Sequence, residues 1–78
     1  MTLYEQYKDI MCRFLSLQPD EVILAEYKGS EEWSSLNHLM IIDELEKQFN
    51  CNFSRSDILG FQTFNDGLRI LKEKGVLD

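Results

Sequence analysis

The chain has 78 residues, with 14 acidic and 8 basic side chains and a formal net charge of −6. At that length it makes one domain, residues 1–78, burying only about 60% of the surface its unfolded form exposes, too little to enclose a deep, layered active site. The negative balance argues against a nucleic-acid binder, which needs clustered Lys and Arg, and against an anionic membrane surface; a basic protein partner fits better.

The first element is a helix carried by Leu3, Tyr7, Ile10, Met11 and Phe14, whose spacing of three and four draws one apolar stripe. Leu15 and Leu17 widen the stripe, and Pro19 is expected to stop the helix. Residues 18–33 hold no sustained period and include Lys28-Gly29-Ser30, so they read as a long loop of the kind that often carries function. Val22, Ile23, Leu24 and Tyr27 are expected to tuck apolar groups from it into the core. A second helix is capped by Ser34 and carries Leu36, Leu39, Ile42, Leu45 and Phe49, and Asn50-Cys51-Asn52 ends it. Ser54 with Asp57 reads as a capping box opening a short helix that Gly60 ends. Thr63 with Asp66 repeats the device before a last helix through Phe64, Leu68 and Leu71. Lys72 and Lys74 suit the dipole of its final turn, and Gly75 is its expected C-cap. With no alternating β-branched run, the class is all-α: three main helices and one short one, with the long loop after the first.

Charge is concentrated. Residues 20–46 hold Asp20, Glu21, Glu26, Glu31, Glu32, Asp43, Glu44 and Glu46 against Lys28, a balance of −7, while residues 1–19 sum to zero and residues 47–78 to +1. Cys12 and Cys51 have no CxxC spacing and, with a single His, cannot assemble a four-ligand zinc site without carboxylates. They read as reduced, partly buried thiols of a cytoplasmic protein. Glu5, Lys8 and Asp9 interrupt any signal-peptide run, and no stretch approaches the ~20 apolar residues of a membrane span.

The stretch Trp33-Ser34-Ser35-Leu36-Asn37-His38-Leu39, continued by Ile41-Ile42-Asp43-Glu44-Leu45-Glu46-Lys47-Gln48-Phe49, resembles the acyl carrier proteins. That family opens its second helix with Asp-Ser-Leu and closes it with Leu-Glu-x-x-Phe. Ser35-Leu36 and Leu45-Glu46-Lys47-Gln48-Phe49 fall in that register. Tyr7-Lys8-Asp9-Ile10-Met11 resembles its first helix, Phe49-Asn50-Cys51-Asn52-Phe53-Ser54 its Phe-Gly-Ile-x-Ile-Ser turn, and Thr63-Phe64-Asn65-Asp66-Gly67-Leu68 the start of its last helix. Coverage runs from about Tyr7 to Leu71. Trp33 and His38 are similar to residues of carriers serving surface-polysaccharide or secondary metabolism.

The resemblance implies a carrier-protein bundle and a 4′-phosphopantetheine arm esterified to Ser35, flanked by Ser34, Leu36 and His38. A serine in a helix's first turn is exposed, and a phosphate ester there meets unpaired N–H groups and the positive end of the dipole. The arm holds an acyl or aminoacyl group as a thioester and offers it to other enzymes, so the carrier is not itself an enzyme, and no Ser-His-Asp or Cys-His set is present to make it one. The implied partners are a phosphopantetheinyl transferase, a loading synthetase and an acyl-using transferase or synthase with basic docking patches, and the carrier is expected to be a monomer. The partner face implied on the second helix is Asn37, Met40, Asp43, Glu44, Glu46 and Lys47. Met40 is either the edge of the core stripe or, as expected, a soft interface contact. The family's acids are missing at Asn37, Met40 and Lys47, which points away from the general fatty-acid machinery. Ser34 stands where the family has Asp: it keeps the cap but loses a carboxylate that helps dock the transferase, so slow modification is expected. His38 is within reach of the arm's phosphate or, as expected, a half-exposed surface histidine, and Trp33 a lid fastening the loop to the second helix. The bulk of Phe14, Phe53, Phe61 and Phe64 implies a short or polar cargo. The alternative is an unmodified carrier-fold adaptor using its acidic second helix for protein binding.

Overall fold

A computed structural model of the chain describes residues 2–77. Its first helix, α1 (Leu3–Leu15), is opened by Thr2, whose hydroxyl accepts from the Glu5 N–H at 3.1 Å while the Glu5 carboxylate accepts from the Thr2 N–H at 3.1 Å. Tyr7, Ile10, Met11 and Leu15 form its buried stripe. Ser16, not Pro19, ends it, in the left-handed region at φ 57°. Pro19 instead occupies the first position of a one-turn helix, α2 (Pro19–Val22), where its fixed φ suits a helix start and its missing N–H costs nothing. The expected long loop is therefore interrupted, and the described residues hold five helices rather than four.

Between α2 and the next helix, backbone bonds replace regular structure. Ser30 N–H donates to Glu26 O at 2.9 Å, Trp33 N–H to Ser30 O at 3.1 Å, and Lys28 N–H to Trp33 O at 3.0 Å. Glu26 forms an isolated antiparallel bridge with Thr63, and Tyr27 N–H donates to Gln62 O at 2.8 Å. These bonds lash the segment across the far side of the chain. Val22 and Ala25 go into the core, but Ile23 and Leu24 do not: Leu24 is 79% exposed.

The second long helix, α3 (Ser35–Phe49), begins where Ser34 Oγ accepts from the Asn37 N–H at 3.2 Å and ends at Asn50, in the left-handed region that Asn tolerates. Capping boxes at Ser54/Asp57 and Thr63/Asp66 open α4 (Arg55–Gly60) and α5 (Phe64–Glu73), as the sequence predicts. Gly75, at φ 79°, follows α5, and Val76 N–H returns to Leu71 O. The architecture is all-α. One core joins the helices, with Trp33, Tyr7, Phe61, Phe64 and Met11 its largest fully buried side chains. The missing side chain of Gly67 makes room for the Tyr7 side chain, which reaches from α1 to the start of α5, where its hydroxyl donates to Phe64 O at 2.8 Å.

Candidate functional site

Ser35 is the first residue of α3 and is exposed. Ser34 satisfies Asn37 N–H, and the first intrahelical bond runs from His38 N–H to Ser34 O at 2.9 Å. The N–H groups of Ser35 and Leu36 are thus left without intrahelical acceptors, and no acidic residue lies in the first turn. An anion attached at Ser35 Oγ would meet these donors and the positive end of α3. Among the described residues the side-chain partner of Ser35 is Tyr27, hydroxyl to hydroxyl at 3.2 Å. Asn37 helps hold the entry to the helix, its Nδ2 donating to Glu32 O at 2.7 Å.

The α3 stripe is rotated relative to the sequence expectation. His38, Ile41, Ile42, Leu45 and Phe49 face the core, whereas Leu36 (68% exposed), Leu39 (57%) and Met40 face outward. A spacing of three and four fits both faces; what decides between them is His38. It is 3% exposed, not half-exposed, and both ring nitrogens are engaged. Trp33 Nε1–H donates to His38 Nδ1 at 3.0 Å, and because an indole nitrogen only donates, Nδ1 must be the acceptor and Nε2 carries the hydrogen. Nε2–H donates to Ile58 O at 2.9 Å, one of the last carbonyls of α4, which have no intrahelical partners. His38 therefore caps α4 from a neighbouring helix and has no nitrogen free for a phosphate. Gln62 Nε2 completes the end by donating to Leu59 O at 3.1 Å.

No protein-family model and no curated protein matches this chain. The assignment of a role therefore rests on residues and geometry.

A cleft of about 200 Å³ opens beside Ser35, lined by Tyr27, His38, Leu39, Ile58, Leu59 and Gln62. Leu39 and Leu59, both exposed, give it apolar walls, and Leu36 and Met40 add exposed apolar surface on α3. Tyr27 and the two α4 residues were not expected at the site. Periodicity could not have found Ile58 and Leu59, because α4 is too short to show any, and Tyr27 arrives through its pairing with Gln62.

The carboxylates of α3 are less available than their number suggests. Asp43 pairs with Lys47 at 3.0 Å, both exposed, and the Asp43 hydrogen bond raises the Lys47 pKa above its ordinary value. Glu44 accepts from Gln48 Nε2 at 2.8 Å. Glu46 Oε2 accepts the Phe53 N–H at 2.8 Å, bracing the turn into α4. By contrast the exposed Asp20, Glu26, Glu31 and Glu32 form no ion pair among the described residues. The free negative charge near Ser35 sits as much on the approach to α3 as on the helix itself. Cys12 and Cys51 are free thiols, each half-buried and raised in pKa by desolvation. No helix among the described residues is long and apolar enough to cross a membrane.

Proposed function

We propose that the chain is a cytoplasmic acyl carrier protein that takes a phosphopantetheine arm on Ser35 and is not itself an enzyme. The observation that carries this reading is the placing of Ser35: an exposed hydroxyl at the first position of α3, next to two unengaged N–H groups and at the mouth of an apolar cleft. Within the segment resembling the carrier motif, the Ser-Leu pair opens α3 at Ser35 and the Leu-Glu-x-x-Phe ending closes it at Phe49. In loading, Ser35 Oγ bonds to the pantetheine-bearing phosphorus of coenzyme A as that phosphorus loses its bond to 3′,5′-ADP, and the serine proton passes to the transferase or to the departing 3′,5′-ADP. The arm supplies a thiol that holds the acyl or aminoacyl group as a thioester.

The residues around Ser35 fit such an arm. Leu39 and Leu59 line the cleft and Leu36 and Met40 are exposed on α3, with Glu31 and Glu32 before that helix and Asp43 farther along it, a combination suited to an enzyme surface of mixed basic and apolar character. Trp33 and Phe61 pack edge to face at 5.4 Å and fill the interior behind the cleft, which favours a short or polar cargo over a long chain drawn inside. Incubation with coenzyme A and a promiscuous phosphopantetheinyl transferase, read by intact mass, tests the proposal. The expected result is slow addition of one arm, faster after Ser34→Asp. No addition to either protein would sink the carrier reading and leave the adaptor reading.

A further inference from the structure

We infer that Tyr27 is the positioning residue of Ser35: its hydroxyl holds Ser35 Oγ before a phosphate ester forms and donates to that ester afterwards. The inference rests on the reading of Ser35 as the attachment point. Tyr27 comes from the segment before α3, yet it is fixed at both its backbone and its ring. Its N–H donates to Gln62 O at 2.8 Å. Its ring stacks on His38, centroids 4.3 Å apart and planes at 28°. His38 is in turn held by Trp33 at 3.0 Å and Ile58 at 2.9 Å. A side chain clamped in this way has little rotamer freedom left to lose, so its hydroxyl is presented at one place, 3.2 Å from Ser35 Oγ.

The chemistry assigns the direction of the bond. Two hydroxyls can each donate or accept, so the free serine permits either arrangement. Once Oγ carries phosphorus it has no hydrogen, and the pair persists only with Tyr27 as donor. The anionic oxygens beside Oγ are stronger acceptors than Oγ itself, and a bond to a charged acceptor is the stronger kind. The first turn of α3 contains no Lys or Arg side chain, and its available donors are the Ser35 and Leu36 N–H groups. The Tyr27 hydroxyl adds a third from the side of the cleft.

The test uses the whole chain and Tyr27→Phe, which keeps the ring on His38 and removes only the hydroxyl. Both proteins are loaded from coenzyme A by a phosphopantetheinyl transferase, with rates followed by intact mass and the products compared by phosphorus NMR. The expected result is a loading kcat lowered about fivefold with KM for the carrier unchanged, the effect of one hydrogen bond of about 1 kcal/mol. The phosphodiester resonance of the variant is displaced, and the melting temperature of the unloaded protein is unchanged. Equal kcat with an identical resonance overturns the inference. So does a variant whose KM rises and whose unloaded form melts earlier, because that pattern is a packing defect. If neither protein accepts an arm, even with Ser34→Asp added to both, the inference falls together with the reading of Ser35; if both accept it with equal kcat and an identical resonance, the inference falls alone.

Discussion

Replacing His38 by Leu probes the contact that determines which face of α3 is inside. Leucine fills much of the same space but can neither accept from Trp33 Nε1–H nor donate to Ile58 O. Trp33 is fully buried, so its orphaned N–H cannot recover a water partner without opening the core. An unsatisfied buried polar group costs about 1–3 kcal/mol. The Ile58 carbonyl is only part-buried and regains some hydration, so the two losses together come to about 2–4 kcal/mol. At about 4–8 °C per kcal/mol for a domain of this size, the melting temperature falls by roughly 8–32 °C. Urea unfolding followed by far-UV circular dichroism measures the first quantity, and a thermal melt the second. Trp33→Phe in the same chain removes the orphaned donor, so the double variant loses less than the two single losses added together. A loss below about 1 kcal/mol for His38→Leu, or strict additivity, would refute the coupling of Trp33 to α4 through His38.

Two further predictions concern the framework behind the site. Gly67→Ala should destabilise by about 1–3 kcal/mol, although Gly to Ala inside a helix ordinarily helps, because the new Cβ meets the Tyr7 hydroxyl and lies 2.8 Å from the Phe61 ring, and both rings are fully buried. Urea unfolding gives the sign, and a gain in stability would contradict the tight packing of the Tyr7 and Phe61 rings on Gly67. Asp57 is held below the ordinary carboxylate range, first by its 2.6 Å hydrogen bond from Lys74 and then by the Ser54 N–H. A depressed native value means that this contribution is complete above the unfolded value, near pH 4, and is lost as pH falls through the native one. The stability advantage of the natural chain over Asp57→Asn is therefore expected to shrink as pH is lowered from 7 to 3 in a series of urea titrations. An advantage that stays constant or grows would show that the Lys74 pair is not its source.

Most helix starts were legible because a single residue announces each of them. Ser34, Ser54 and Thr63 have hydroxyls of the right reach, and Asp57 and Asp66 reciprocate, so local chemistry alone places α3, α4 and α5. Pro19 is ambiguous in the sequence because the same fixed φ that forbids continuing a helix favours beginning one, and it begins α2. The inward turn of His38 could not be read locally, since its partners are Trp33, five residues before, and Ile58, twenty residues after. Once that polar residue is satisfied inside, Leu36 and Leu39 must face out, and apolar spacing by itself carries no information about which stripe wins. Ser35 was legible through its motif and its place at the helix start. Tyr27 was not, because the pairing with Gln62 that carries it to Ser35 joins segments far apart in the chain. Charge was legible as a total, but which carboxylates are engaged depends on neighbours such as the Phe53 N–H.

The central claim is that Ser35 is the point of attachment, and the added mass on paired proteins tests it most directly. The natural chain and Ser35→Ala are each incubated with coenzyme A and a promiscuous phosphopantetheinyl transferase and then weighed intact. The account predicts one phosphopantetheine on the natural chain and none on the variant. Addition that survives Ser35→Ala would move the attachment to Ser34, and a natural chain that gains nothing, even after Ser34→Asp, would contradict the carrier role itself.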